Sequence, residues 1–294
     1  MSFKIITDSC ADLDTTIRNK YGIDYAKMSI TVEDKTLSAS LDWDEYSPKQ
    51  LYDYMRNGIR VYTAQVSRQE FERVFDNACV NGEDVIYIGC SSALSASVNL
   101  AKVIAEEFKS KYPERTVYVI DSLNSCLGEG LMAVMASEMK NDGKSAKEIV
   151  DYIEENKLRV HQFCTVDSLK YLKNAGRVKA SSAFFGDLMG VKPIIISDAK
   201  GNNFAVKKVR GRKNSIREII NAISVYGEDI ENQVLYVSHA DDIETATQMK
   251  NTILSEIKCK DVYVNYIGPI VGASAGPGTV AVYFVGKKVE IIGE

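Results

Sequence analysis

The pattern of hydrophobic and polar residues in the first half of the chain alternates between two periods. Residues 4–6, 84–89 and 116–120 are short apolar runs, which are typical of buried strands. Residues 94–108 instead carry apolar side chains at steps of three and four, so they predict a long helix with one buried face. That face comprises Leu94, Val98, Ala101, Ala105 and Phe108.

Helix-capping residues mark where further helices begin. Ser47 precedes Pro48 and has Gln50 three residues later, and Ser67 has Glu70 at the same spacing, so both serines predict capping boxes. Helices are also predicted at residues 12–21, 125–141 and 146–157, and an extended stretch at residues 25–37. Strands that alternate with helices of this length pair in parallel, which predicts a small doubly wound sheet.

The second half of the chain has a different pattern. Residues 192–198 and 204–210 predict a hairpin around a turn that contains Gly201. Helices are predicted near 214–226 and 243–258, and strands near 233–238, 261–267 and 279–286. Hairpins mixed with helices are typical of an α+β domain with a mainly antiparallel sheet. We therefore predict an α/β protein of two domains, residues 1–158 and 159–294.

The composition is that of a globular protein long enough for two domains. Of the 294 residues, 45% are hydrophobic and 26% are charged, and the net charge is −4. This charge provides no general attraction to nucleic acid or to anionic membranes. The sequence contains no run of about eighteen apolar residues, so no membrane span is predicted. The first residues lack the apolar stretch of a signal peptide.

The six cysteines are residues 10, 79, 90, 126, 164 and 259. Their positions lack the paired spacing of a zinc site and the pattern of a secreted disulfide framework. We therefore expect reduced, mostly buried thiols in a cytoplasmic protein that holds no metal ion.

The serine cluster at residues 91–95 lies between a predicted strand and a predicted helix. Free backbone N–H groups at such a position favour an anion, and open α/β sheets bind ligands at the carboxyl ends of their strands. Ser92 and Ser95 are therefore candidate binding residues. The structural alternative is that Ser92 is only a helix N-cap and that Ser95 belongs to the first turn.

The same segment also suggests an enzyme. Residues 89–93 resemble an incomplete nucleophile elbow, in which Ser91 or Ser92 would attack an acyl group. Asp121 and His239 follow in the order expected of a hydrolase. The second glycine of the motif is missing, and a histidine at a strand end is more often structural. A serine hydrolase or acyltransferase is thus the alternative function.

The glycine-rich segment at residues 272–278 predicts a flexible loop. It lacks the ending of a phosphate loop and leads into a strand, which disfavours nucleotide binding. A tight turn between two strands would explain the glycines at 276 and 278. It would not explain why the segment is seven residues long, whereas a loop whose backbone approaches a ligand would. Near the start of the chain, Asp8 and Asp12 lie four residues apart and do not form a DxD pair, so Asp8 or Ser9 is predicted to cap a helix.

Seven motifs in the same order resemble those of the DegV family, and they cover nearly the whole chain. They are residues 7–9, 63–67, 91–95, 121–122 and 169–177, then 192–194 with 210–213, and 267–269 with 276–278. Members of this bacterial family bind one fatty acid in a tunnel between two domains. Some are the lipid-carrying subunit of a fatty-acid kinase, whose separate ATP-binding subunit phosphorylates the carboxylate.

The resemblance implies a non-catalytic carrier of a long-chain fatty acid. It implies no cofactor, leaves transient membrane contact open, and suggests an ATP-binding kinase subunit as a partner. The carboxylate-binding residues implied by the motifs are Thr63, Ser92, Ser95, Ser274, Ala275 and Gly276. The segment 272–278 would close over the carboxylate.

Other residues take roles farther from the carboxylate. The resemblance implies that Arg177 and Arg210 lie at the head-group periphery or dock a partner, although each is more often a surface charge. The adaptable apolar side chains for a tail tunnel are Phe184, Phe185, Leu188 and Met189, whose alternative role is the core of a short helix. Ser274 and Ala275 replace the histidine and threonine usual in the family, which removes an imidazole from the predicted head-group site.

Overall fold

The computed structural model describes residues 2–179 and 190–293. In these ranges the strands are β1 Phe3–Asp8, β2 Ile23–Ala26, β3 Met28–Val32, β4 Lys35–Ala39, β5 Val61–Ala64, β6 Asp84–Gly89, β7 Val117–Asp121, β8 Val160–Thr165, β9 Val178–Lys179, β10 Val191–Ser197, β11 Asn203–Arg210, β12 Val234–His239, β13 Asp261–Tyr266 and β14 Val280–Val285. The helices are α1 Thr15–Tyr21, α2 Pro48–Arg56, α3 Arg68–Val80, α4 Ser97–Lys111, α5 Leu127–Asn141, α6 Ala146–Asn156, α7 Leu169–Ala175, α8 Arg212–Tyr226, α9 Ile243–Glu256 and α10 Pro269–Ala275. Along the described part of the chain, no helix is both long enough and apolar enough to cross a membrane.

A parallel sheet forms the first half of the molecule, with strand order β2-β1-β6-β7. Every residue of β6 is buried, as expected when helices cover both faces of a sheet. Helices α3 and α4 pack on one face, and α1, α5 and α6 pack on the other. The predicted doubly wound sheet is confirmed.

A mixed sheet forms the second half, with strand order β13-β12-β14-β8-β10-β11-β9. Its pairs are antiparallel except for β12 with β13 and β11 with β9. Helices α8 and α9 pack on one face. This arrangement confirms the predicted α+β organisation, and the fold is a two-domain α/β fold.

Helix α5 lies between the two sheets. It packs against β1 and β6 on one side and against β8, β12 and β14 on the other. Nearly all of its residues from 127 to 137 are buried. One hydrophobic cluster consequently runs from Ile86 in the parallel sheet through Met132 in α5 to Tyr283 in the mixed sheet. The two halves therefore share a core.

The predicted extended stretch at residues 25–37 is divided between two sheets. Strand β2 joins the parallel sheet, whereas β3 pairs antiparallel with β4 and β5 in a separate small sheet. The chain turns between β3 and β4 at Glu33, whose φ of 54° is left-handed. This small sheet lies beside α10 and supplies part of the site.

The two predicted capping boxes differ in outcome. Ser47 and Gln50 form a complete box at the start of α2, as predicted. Ser67 caps α3, because its hydroxyl accepts from the Glu70 amide at 3.2 Å. The second hydrogen bond of the predicted box, from the Ser67 amide to the Glu70 side chain, does not form, so this part of the prediction is wrong. The Glu70 carboxylate instead accepts from the Lys27 amide at 2.9 Å and pairs with Arg73 at 2.7 Å. Tertiary contacts thus outcompete the local motif.

Two local predictions near the site are wrong. Ser92 is not a helix N-cap, because α4 begins at Ser97 and Ala96 holds the cap position. Residues 272–278 are not a flexible loop, because the chain from Pro269 to Ala275 is helix α10. Pro269 occupies the first turn of that helix, where its missing N–H has no intrahelical partner to lose.

Candidate functional site

A cavity of about 220 Å³ lies at the carboxyl ends of the parallel strands. Cys10 follows β1 and Cys90 follows β6, and both side chains line it. The small sheet contributes Met28 and Thr63, and α10 contributes Ser274. This is the edge at which open α/β sheets bind ligands, so the cavity is the candidate site.

Two smaller cavities adjoin the first one. The larger of them, about 120 Å³, is lined by Tyr62 and Tyr171 among others. The other is narrow, about 40 Å³, and mainly apolar, with Ile195 in its wall. Arg177 and Ser274 line all three cavities. These two residues therefore mark the point at which the cavities meet.

Three of the predicted carboxylate-binding hydroxyls lie in the wall of the first cavity, the largest of these three and here called the main cavity. Thr63, Ser95 and Ser274 are half-buried and line the main cavity. Within residues 2–179 and 190–293, no hydrogen bond to another protein group engages the hydroxyl of Thr63 or Ser274. The Ser95 hydroxyl lies 3.0 Å from that of Ser97 and accepts from the Ser97 amide at 3.3 Å. All three hydroxyls can therefore donate to an anion in the cavity.

The other predicted site residues are placed differently. Ala275 is buried and lines the narrow apolar cavity, and Gly276 follows it at the end of α10. Arg177 is exposed at the cavity mouth, whereas Ser92 and Arg210 are exposed outside the three cavities. The predicted tail-tunnel residues Phe184, Phe185, Leu188 and Met189 lie outside the described residues.

The residues of the hydrolase alternative have separate structural contacts. The Ser91 hydroxyl donates to the Gly201 carbonyl at 2.8 Å. His239 accepts a hydrogen bond at Nδ1 from the Asp242 amide at 3.2 Å, and its ring centroid lies 4.4 Å from that of Tyr266. Burial lowers the pKa of His239 to about 4. In these contacts the histidine acts as a structural residue.

Asp8 accepts hydrogen bonds from two residues of the cavity wall, Cys10 and Cys90, and does not cap a helix. It is fully buried, and the cap of α1 is Asp14. Its Oδ2 accepts from the Tyr87 hydroxyl at 2.7 Å and from the Cys90 amide at 3.2 Å. Its Oδ1 accepts from the Cys10 amide at 2.8 Å. Burial raises the pKa of Asp8. Its hydrogen bonds join the residues that follow β1 to those that follow β6.

The sequence interpretation missed several residues of the cavity wall. Cys10, Cys90 and Asn203 come from three separate segments, and no local motif marks them as neighbours. The available signal was their position. Cys90 directly follows the strand predicted at residues 84–89, and Cys10 lies four residues after the strand predicted at residues 4–6, whose carboxyl end shares the same edge of the sheet.

The sequence matches one protein family over nearly its whole length. The model of the DegV family, described as a family of uncharacterised proteins, matches residues 2–287. A DegV domain-containing protein from Clostridium perfringens is 33% identical over 288 residues, which cover 98% of this chain and 99% of the relative. A similar protein from Lactococcus lactis is 27% identical over 292 residues, which cover 98% of this chain and 99% of that relative.

Comparison with solved structures gives the same result. A fatty-acid-binding DegV family protein from Thermus thermophilus superposes with a TM-score of 0.88 at 26% identity, covering 97% of this chain and all of that one. DegV from Bacillus subtilis, a fatty-acid-binding protein, superposes with a TM-score of 0.82 at 26% identity, covering 98% of this chain and all of the other. With its fold, its motifs and these relatives, the chain belongs to the DegV family.

Proposed function

We propose that this protein binds one long-chain fatty acid, with its carboxylate at Thr63, Ser95 and Ser274. The observation that carries the proposal is that these three hydroxyls line one cavity and that, among the described residues, those of Thr63 and Ser274 have no hydrogen-bond partner. Two structural relatives of the same fold are fatty-acid-binding proteins. The carboxylate would accept hydrogen bonds from these neutral donors, and the neighbouring Arg177 would balance its charge.

The tail supplies most of the binding free energy in this proposal. Burying about fourteen methylenes at roughly 0.8 kcal/mol each contributes on the order of 11 kcal/mol before ordering costs. Each hydrogen bond to the charged carboxylate adds roughly 1.5–3 kcal/mol. The narrow apolar cavity beside Ser274 provides the start of a path for the tail. Phe184, Phe185, Leu188 and Met189 remain its predicted continuation.

The site lies between the two proposed domains, residues 1–158 and 159–294. Thr63 and Ser95 come from the first and Asn203 and Ser274 from the second. Because the carboxylate would lie close to the exposed Arg177, it would be reachable from outside while the tail stayed buried. We propose that this geometry serves to present the carboxylate to a separate ATP-binding kinase subunit, with no catalysis by this chain.

Gently purified protein is expected to carry about one fatty acid per chain. Native mass spectrometry and analysis of an organic extract measure this directly. Delipidated protein should melt lower, because ligand that binds only the native state stabilises it by about 2.7 kcal/mol at 100 times its Kd, or roughly 5 °C. The absence of both extractable lipid and a melting shift on adding oleate would contradict the proposal. A covalent acyl adduct on Ser91 or Ser92 would favour the hydrolase instead.

Thr63→Val and Ser95→Ala should each weaken fatty-acid binding by about 10- to 100-fold. Each substitution removes one donor to a charged acceptor, at a cost of roughly 1.5–3 kcal/mol, with little change in volume. Displacement of a fluorescent fatty acid measures the affinity. Ser92→Ala is the matched control, because Ser92 is exposed outside the cavities and its loss should leave the Kd unchanged. Equal affinities in all four proteins would place the carboxylate elsewhere.

A further inference from the structure

Two thiols in the wall of the main cavity lie close to a buried carboxyl group. Cys10 and Cys90 are each 2% exposed, and Glu129 at the start of α5 is fully buried. The two sulfur atoms and a carboxylate oxygen of Glu129 all lie within 4.8 Å of one another. The three residues come from separate parts of the sequence, so the cluster exists only in the folded protein.

The carboxyl group of Glu129 has a free oxygen atom. Its Oε1 accepts from the Thr7 hydroxyl at 2.6 Å and from the Asp8 amide at 3.4 Å. Oε2 is buried, and among the residues that the structure describes it has no hydrogen-bond partner. A buried acceptor without a partner costs roughly 1–3 kcal/mol, so its retention indicates an unassigned role.

We propose that Cys10, Cys90 and Glu129 bind a thiophilic divalent cation of the zinc class. Thiolate, imidazole and carboxylate are the groups that zinc selects in proteins, and two of these three types are present here. Because both cysteines also line the cavity, an ion bound by them would lie at its wall. The site goes beyond the proposed lipid binding and does not depend on it.

The spacing of the three residues suits such an ion. Two sulfur atoms bound to one zinc ion at about 2.3 Å in tetrahedral geometry lie about 3.8 Å apart. Separations of up to 4.8 Å therefore need to close by no more than about 1 Å, which small rotations of side chains supply. Met28 Sδ, at 3.8 Å from Cys10 Sγ, adds a further soft group at the rim of the cluster.

Two carboxyl groups, those of Asp8 and Glu129, lie beside the thiols. Asp8 and Glu129 are both buried, and the groups that hydrogen-bond to them are neutral hydroxyls and amides. A divalent ion would replace protons on the two thiols and the carboxyl group, and binding would release these protons to solvent.

Titration of the reduced, full-length protein with Co²⁺ without oxygen tests the site. Co²⁺ is expected to saturate at one ion per chain with a sulfur-to-cobalt charge-transfer absorption in the near ultraviolet, and Zn²⁺ should abolish that absorption by displacement. The absorption requires thiolate ligands, so its absence in the parent protein would overturn the proposal whether or not any variant folds.

Single substitutions assign the ligands. Cys10→Ser and Cys90→Ser should each weaken Co²⁺ binding at least about tenfold and reduce the charge-transfer absorption by about half. Glu129→Gln, which keeps an acceptor for Thr7, should weaken binding about tenfold and retain the absorption. Cys79→Ser is the matched control, because Cys79 is buried on α3 away from the cavity. Equal effects of the control and the ligand variants would overturn the assignment.

Discussion

Gly276→Ala is expected to lower the free energy of unfolding by about 4 kcal/mol. Gly276 ends α10 with φ 83° and ψ 165°, a region that only glycine adopts readily. An added Cβ would also lie 2.1 Å from the ring of Tyr171, whose hydroxyl donates to the Met55 carbonyl at 3.1 Å. The ring cannot move away without breaking that contact between α7 and α2. Urea denaturation measures the loss.

Gly211→Ala separates the two causes of this effect. Gly211 has nearly the same backbone conformation, with φ 86° and ψ 145°, but an added Cβ there meets only Asn214 Nδ2 at 4.0 Å. Gly211→Ala should therefore lower the free energy of unfolding only by the cost of the strained backbone, about 2 kcal/mol. Tyr171→Leu should recover much of the difference when combined with Gly276→Ala. Equal losses in the two glycine variants would show that the ring accommodates the added methyl group.

His239 is expected to make the protein less stable as the pH falls below 6.5. Burial lowers its pKa from 6.5 to about 4, against the opposing influence of Asp242 and Asp241. Between these values the unfolded chain binds a proton that the folded chain does not, so the unfolded state gains stability. The loss attributable to this residue is about 2 kcal/mol between pH 7.5 and pH 5, and it levels off below about pH 4.

Comparison with His239→Asn isolates this contribution. The asparagine carbonyl can accept from the Asp242 amide in place of Nδ1, and it does not titrate. Buried carboxyl groups and His161 titrate in both proteins, so their contributions cancel in the difference. The stability of the parent minus that of the variant, measured by urea denaturation, should fall by about 2 kcal/mol between pH 7.5 and pH 5. A difference independent of pH would mean that folded His239 protonates normally.

The regular elements were predictable because their patterns are local. Strand β12 was expected at residues 233–238 and occupies Val234–His239. Its apolar residues and the bounding polar ones are adjacent in sequence. The parallel and mixed sheets follow from the order of such segments, since crossover helices impose parallel pairing.

The errors occur where distant residues decide the structure. The glycines of residues 272–278 indicated a loop, but Gly272 permits α10 to pack against the Tyr52 hydroxyl, which an added Cβ would approach to 2.4 Å. Asp8 or Ser9 was expected to cap a helix, and Asp8 instead accepts a hydrogen bond from Tyr87, 79 positions away. Local propensity contains no information about either partner.

The candidate site was predictable only in part for the same reason. Thr63, Ser95, Ser274 and Arg177 were named through family motifs, and the structure brings them to one cavity. The metal-ligand candidates Cys10, Cys90 and Glu129 have no characteristic spacing in the sequence, because their proximity depends on the pairing of β1 with β6 and on the packing of α5.

The position of α5 between two sheets has a consequence for synthesis on the ribosome. The helix is complete at Asn141, but one of its faces is covered by β8, β12 and β14, and β14 ends at Val285 in the middle of the mixed sheet. At about 5–20 residues per second, translation from 141 to 285 takes roughly 7–30 s. During that time an apolar face of α5 lacks its partner strands on the nascent chain, so the shared core closes only after the last strand emerges.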